Sequence, residues 1–331
     1  MSDRLYIAVS FRLGEEALSR IRAVDRRIEI LDCSTLGRRE PTDGEQRAQL
    51  LEHLAKAEIL FGPNRFPAEY ADAARRLKWF QVINAGIDRM AKEGLLGRDF
   101  VITTASGLSA AGIAEYAIGM MVALAKGIHL AVRAQSEHRW ESRGTLVLQG
   151  KTLGIVGLGE IGRQTARRAR AFGMRIVASR RTVAAGTADP DCDELLAHSD
   201  LPGLLSQSDY VLVCVPLTAE TRHLFREAEF ATMKRSACLI NVARGEVIDQ
   251  LAMIEALQRG TIAGAGLDVF DPEPLPAESP LWDMANVIIT PHNSGSVERY
   301  AERATSIFIA NLSRYLAGEP LSHVVDAALG Y

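Results

Sequence analysis

Three polar residues follow three separate apolar runs in the second half of the sequence: Arg244 after CLINVA, Glu273 shortly beyond AGLDVF, and His292 after NVIIT. Together these residue types can reduce a carbonyl. A guanidinium offers a planar fork that can grip a 2-oxo acid through its carboxylate and polarise the carbonyl. An imidazole changes protonation near neutral pH and can hand a proton to the carbonyl oxygen as hydride reaches the carbon. A carboxylate hydrogen-bonded to that imidazole fixes its tautomer and favours its protonated form. Taken singly each has a plain structural alternative: Arg244 could cap a strand end, Glu273 could sit in a proline-rich turn, and His292 could merely follow a proline.

Hydride needs a donor. Residues 157–162 read GLGEIG, with Gly157, Gly159 and Gly162 spaced by Leu158, Glu160 and Ile161, directly after TLGIV and opening GRQTARRARAF. Glycines at this spacing permit a tight strand-to-helix turn and close backbone approach, so that a pyrophosphate can rest on the helix N-terminus. The position that chooses between NAD and NADP lies about 20 residues further on, at the end of the next strand. There MRIVA runs into Ser179, Arg180 and Arg181. No carboxylate stands there to repel a 2′-phosphate, and a guanidinium can bind one bidentately, so NADP(H) is expected over NAD(H). The alternative is that both arginines are idle on a surface loop. Pro216, after DYVLVCV, and Asp268, in AGLDVF, also follow apolar runs, and ligands in an open parallel sheet bind at the carboxyl ends of strands.

The elements that must position these residues read as two α/β domains. Short apolar runs (RLYIAVS, RIEILD, AEILFGP, LKWFQVINAG, FVITTAS) alternate with amphipathic stretches through the first hundred residues, as in repeated strand–helix units. SAAGIAEYAIGMMVALAKGIHLAVRAQ reads as one long domain-bridging helix capped by Ser109, with Met120 and Met121 as packing residues. From Gly150 the alternation resumes with KTLGIVGLG, MRIVASR, SDYVLVCVP, CLINVAR, IAGAGLDVF and NVIITPH. The segment VERYAERATSIFIANLSRYLAGEP reads as an amphipathic helix closed by Gly318 and Pro320 that packs back on the first domain.

Composition narrows the function classes. At 331 residues, 47% hydrophobic and 24% charged, the chain matches folded globular composition and is long enough for two cores. With 38 Lys plus Arg against 41 Asp plus Glu, a net charge of −3 gives no global field for nucleic acid or an acidic membrane. Arg163, Arg167, Arg168 and Arg170 recur at helical spacing and read as a solvated helix face. Cys33, Cys192, Cys214 and Cys238 stand far apart, which suggests buried thiols and no metal site. No targeting or spanning segment is evident, so a cytoplasmic protein is expected.

The motifs GLGEIG, SDYVLVCVPLTAETRHLF, INVARGEVID, AGLDVFDPEPLP and SPLWDMANVIITPHNSG, in this order and spacing, resemble the D-isomer-specific 2-hydroxyacid dehydrogenases, a family that includes glyoxylate and hydroxypyruvate reductases. The resemblance covers nearly the whole chain and implies that Arg244, Glu273 and His292 form the catalytic set. It implies that Val215, Pro216, Thr221, Val242, Ala243, Asp268 and Ser294 border the cofactor, and that backbone around Ala85 and Gly86 receives the substrate carboxylate. It further implies a flavodoxin-like substrate domain of residues 1–103 and 296–331, an inserted Rossmann domain of residues 104–295, and a homodimer joined through segment 110–150 with Trp140. Many relatives carry Asn where TTASG has Ala105, so a side-chain role there is not carried over. Two other branches fit less well: formate dehydrogenases pair their histidine with glutamine, and long phosphoglycerate dehydrogenases extend beyond this length. A non-catalytic nucleotide-sensing protein or co-repressor of the same fold is the alternative from another class, disfavoured by the intact Arg244, Glu273 and His292. The loop FGPNRFP leaves the substrate side chain open; Arg65 there could read a second acidic group or be solvated.

Overall fold

The computed structural model describes residues 4–37, 44–183 and 187–330. The chain divides into two compact units, one formed by residues up to Leu108 together with those from Val297 on, the other by Ser109–Ser296. The expected boundaries at 103/104 and 295/296 compare with 108/109 and 296/297.

In the first unit five parallel strands, β1 (Leu5–Val9), β2 (Ile28–Asp32), β3 (Ile59–Gly62), β4 (Trp79–Val82) and β5 (Val101–Thr103), lie in the order β2-β1-β3-β4-β5. That is the flavodoxin-like winding. Both faces are covered, and so β3 and β4 are buried at every residue. One face packs Leu54, Tyr70 and Phe80. The other receives Ala304, Phe308 and Leu312 from the last helix, Tyr300–Ala317, whose Phe308 stacks on Phe61 with ring centroids 4.2 Å apart. A buried polar chain fixes that helix in register: Trp79 Nε1 donates to Thr103 Oγ1, Thr103 donates to Gln81 Oε1, and Asn311 Nδ2 donates to the same Gln81 oxygen.

The second unit holds seven parallel strands: β6 (Thr152–Val156), β7 (Arg175–Arg180), β8 (Glu194–Ala197), β9 (Tyr210–Val213), β10 (Cys238–Asn241), β11 (Gly264–Leu267) and β12 (Val287–Ile289). Their order is β12-β11-β10-β9-β6-β7-β8, a Rossmann winding whose direction reverses between β6 and β9. Six of these strands match the expected apolar runs. The edge strand β8, ELLA, does not: it is half-buried throughout and opens on a charge, so it carries no apolar-run signal.

Two further expectations are corrected. The long helix is two, Ala110–Lys126 and Ile128–Ser136, bent by 69° where Gly127 takes a left-handed φ of 63°. Ser109 precedes the first of them but makes no cap, because its hydroxyl donates instead to Gly295 O at 2.7 Å. Met120 and Met121 are core residues, and Gly266 of β11 lacks the Cβ that would meet Met120 Sδ at 2.9 Å. No single helix among the described residues is long and apolar enough to cross a membrane.

In the arginine stretch Arg167 and Arg170 are exposed as expected, whereas Arg163 and Arg168 are half-buried. Arg163 and Arg167 pair with Asp189 and Asp191, Arg168 with Glu115, and Arg170 with Asp193. All four cysteines are free thiols; Cys33 and Cys192 are buried, whereas Cys214 and Cys238 are only partly so, and desolvation pushes each thiol up, Cys214 to about 12.

Candidate active site

The glycine loop leaves β6 beside the point where the winding reverses. Gly157 has φ 106°, and a Cβ there would meet Val215 Cγ1 at 2.9 Å and Cys214 O at 3.1 Å. At Gly162 a Cβ would meet Gly157 O at 2.4 Å, so this glycine lets the helix Glu160–Ala171 press on the turn. Gly159 differs, for a Cβ there would meet nothing within 4 Å. Two glycines serve the fold, and the third leaves open space in front of a helix whose first N–H groups lack intrahelical partners. An anionic diphosphate fits that space. Gly157 and Leu158 cannot help bind it through their amides, since both N–H groups donate to Ser179 O and the Leu158 side chain is core. The donors open to phosphate are those of Gly159, Glu160 and Ile161.

At the end of β7, Ser179 is 1% exposed, yet its hydroxyl is a buried polar group without a hydrogen-bond partner. The atom is closed off from solvent, so a cofactor oxygen reaches it only if the strand end shifts. Arg180 and Arg181 follow it, both exposed. Across the switch point stand Val215 and Pro216 after β9; Thr221 pins this turn by donating to Pro216 O at 2.6 Å and accepting from Thr218 N–H at 2.8 Å.

Val242 and Ala243 are buried after β10 and deliver half-buried Arg244. Asn241, not singled out from sequence, braces this turn: its Nδ2 donates to Arg244 O at 3.1 Å and its Oδ1 accepts from Ala243 N–H at 3.0 Å. A buried asparagine closing an apolar strand was the available signal. Arg244 Nη1 donates to Ala243 O at 2.8 Å. Gly245 comes next, and a Cβ there would fall 2.0 Å from the Phe270 carbonyl, so the two turns touch backbone to backbone.

Phe270 N–H donates to Glu273 Oε1 at 3.1 Å, and Glu273 Oε2 faces His292 Nδ1 at 2.8 Å. One carboxylate oxygen is thus fixed by the backbone and the other by the imidazole. Against an ionised carboxylate Nδ1 carries the hydrogen, which leaves Nε2 as the nitrogen directed away from the pair. Both side chains are partly exposed.

His292 has a left-handed φ of 53°, uncommon for a residue with a Cβ. Asp268 holds it there. This fully buried carboxylate accepts from Thr290 Oγ1 (2.6 Å), Asn293 N–H (2.9 Å) and Ser294 N–H (2.9 Å), while its own carbonyl accepts from His292 N–H (2.8 Å). Asp268 and buried Ser294, expected as cofactor contacts, are engaged with each other and shape the loop that presents the histidine.

In the first unit the segment after β4 carries exposed Ala85 and half-buried Gly86. Asn64 latches the loop after β3 to it, its Nδ2 donating to Gly86 O at 2.7 Å and its N–H to Asn84 Oδ1 at 3.1 Å. Arg65 is exposed beside this latch, and Ala105 is buried.

Residues 118–294 match the family model for the NAD-binding domain of D-isomer-specific 2-hydroxyacid dehydrogenases. The chain is 35% identical to a glyoxylate reductase of Korarchaeum cryptofilum over 78% of its own length and 79% of the relative's. It is 33% identical to a D-3-phosphoglycerate dehydrogenase of Methanocaldococcus jannaschii over 90% of its length, and this match spans only 57% of that longer protein. Among solved structures, a D-isomer-specific 2-hydroxyacid dehydrogenase of Xanthobacter autotrophicus in complex with NADPH and MES superposes with a TM-score of 0.81 at 29% identity, covering all of both chains. With more than half of the chain matched by the family model and a relative 35% identical over 78% of its length, the chain belongs to the D-isomer-specific 2-hydroxyacid dehydrogenase family.

Proposed function

We propose that the protein is an NADPH-preferring reductase of small 2-oxo acids of the glyoxylate and hydroxypyruvate kind, forming D-2-hydroxy acids, with His292 as general acid. The observation that carries this reading is the fixed pair of Glu273 and His292 at 2.8 Å, presented from the same sheet edge as Arg244. A nicotinamide held by the cradle supplies hydride chemistry. Arg244 orients the acid by its planar two-point grip and draws charge toward the carbonyl oxygen. His292 Nε2 gives that oxygen its proton, and Glu273 stabilises the imidazolium beforehand and holds the ring in place. Asp268, through the three bonds it accepts, keeps the histidine loop rigid.

Cofactor choice is part of the proposal and rests on Ser179, Arg180 and Arg181, supported by the NADPH-bound relative. Each charge-assisted contact to a 2′-phosphate contributes about 1.5–3 kcal/mol, so after solvent screening NADPH should exceed NADH by at least about tenfold in kcat/KM. Replacing both arginines with alanine should raise KM for NADPH and leave KM for NADH nearly unchanged. Association of two copies through segment 110–150 belongs to the same reading, supported by fully exposed Trp140 with Leu146 and Val147. The deciding experiment follows NADPH consumption with glyoxylate, hydroxypyruvate, pyruvate, phenylpyruvate and 2-oxoglutarate and resolves the product by chiral chromatography. A D product from a small 2-oxo acid supports the proposal; an L product or a native preference for NADH rejects the corresponding part.

A further inference from the structure

The helix that opens at the glycine loop carries a clamp. Arg163, in its first full turn, binds Asp189 with both terminal nitrogens, Nη1 to Oδ1 at 2.8 Å and Nη2 to Oδ2 at 2.7 Å, and reaches Asp191 Oδ2 with Nη1 at 2.8 Å. Arg167, one turn on, binds Asp191 through Nε at 2.8 Å and Nη2 at 3.1 Å. The acidic turn is closed on itself, with Asp191 N–H donating to Asp189 Oδ1 and Cys192 N–H to Asp189 O. Both aspartate side chains are only 9% exposed. Hydrogen bonds from Arg167 and then Arg163 hold Asp191 down to about 2, and those from Arg163 lower Asp189, so both carboxylates are charged at neutral pH.

Two largely enclosed negative charges are therefore held by arginines on the first two turns of the helix that opens at Gly159. Left uncancelled, they would oppose the positive end of the helix and repel a dinucleotide phosphate. Arg163 cannot also serve a phosphate without releasing carboxylates that grip both of its terminal nitrogens. We infer that Arg163 is a positioning and charge-cancelling residue that raises dinucleotide affinity at a distance, by neutralising Asp189 and Asp191, without touching the cofactor. This rests on the reading of the GLGEIG loop as a dinucleotide cradle. NADPH, with the greater negative charge, depends on the cancellation more than NADH does.

The test is calorimetric titration of the full chain with NADPH and with NADH, beside a thermal melt. Arg163→Gln should weaken NADPH binding roughly threefold to tenfold, the worth of one uncancelled charge at a partly exposed site, and NADH binding less. Adding Asp189→Asn and Asp191→Asn to Arg163→Gln should restore the affinity to within about twofold of native, although the melt, having lost its ion pairs, stays lowered. A purely structural role would move affinity and melting together, and a direct phosphate contact would leave the triple variant as weak as Arg163→Gln; either result overturns the inference. Native-like affinity of Arg163→Gln overturns it as well. A native chain that prefers NADH but shows the restoration rejects only the NADPH assignment, whereas one that binds neither cofactor rejects both.

Discussion

Gly245 follows Arg244, and a methyl group there tests how closely the arginine turn and the glutamate turn must meet. A Cβ on this backbone would lie 2.0 Å from both the Phe270 carbonyl carbon and its oxygen and 2.6 Å from Asp271 N, against ordinary contact beginning at 3.4 Å. All three atoms are backbone, so no side chain can swing aside, and the turns must part by about 1.4 Å. Overpacking of this kind costs roughly 1–3 kcal/mol of stability. Catalysis should suffer more, because the Phe270 peptide also fixes Glu273 Oε1, and moving it shifts the His292 pair relative to Arg244. A displacement of about 1 Å costs up to roughly 10²-fold in rate. Gly245→Ala should therefore lower kcat by about 10- to 100-fold, with a melt reduced by a few degrees and NADPH binding within about threefold of native, since the glycine loop is untouched. Turnover within about threefold of native would refute the claim that this backbone contact sets the catalytic geometry. Loss of turnover together with loss of NADPH binding would show general misfolding instead.

Three other outcomes are expected. Glu273→Gln should lower kcat of reduction about tenfold or more with NADPH affinity nearly unchanged, because Nδ1 loses the carboxylate that orients the ring at 2.8 Å; an unchanged kcat counts against the pair. Arg244→Lys should lose most activity with charge retained, since an ammonium cannot make a planar two-point grip, and a lysine variant equal to the parent sinks that role. Asp191, whose native carboxyl sits below its unfolded value, contributes stability that is present above about pH 4 and lost as pH falls toward about 2. Discounted for the exposure of Arg167, this is on the order of 1–2 kcal/mol, so the melting gap between native and Asp191→Asn should be roughly 2–6 °C at pH 7, shrink to about a third of that by pH 2.5 and close only below about pH 2; a gap independent of pH contradicts the linkage.

The parallel strands were legible because burial on both faces turns each into a continuous apolar run, as in YVLV of β9 and TLGIV of β6. Edge strand β8 escaped because half-exposed ELLA has no such run. The helix break at Gly127 was hidden inside an apolar stretch that carries Gly112 and Gly119 within continuous helix, so a third glycine gave no distinct signal of a break. Arg244, Glu273 and His292 could be found as polar residues after strands, and their positions on one sheet edge follow from the winding. What holds them could not. The arginine face of the glycine-loop helix was visible in its spacing, but its carboxylate partners Asp189 and Asp191 come from beyond the next strand. The same applies to Asp268, read as a cofactor neighbour and found anchoring residues 290–294, and to the approach of Gly245 on Phe270, which is a contact between distant segments with no sequence signature.

His292 as proton donor to a 2-oxo acid is the central claim, and single-turnover reduction of glyoxylate or hydroxypyruvate by NADPH-loaded enzyme tests it most directly. Native protein and His292→Ala are compared, with NADPH affinity measured on both. The account predicts a fall in the reduction rate of roughly 10² to 10⁴ with cofactor affinity nearly unchanged, the usual worth of a positioned general acid. An alanine variant that reduces the acid at near-native rate, or one whose loss is matched by lost NADPH binding, would contradict it.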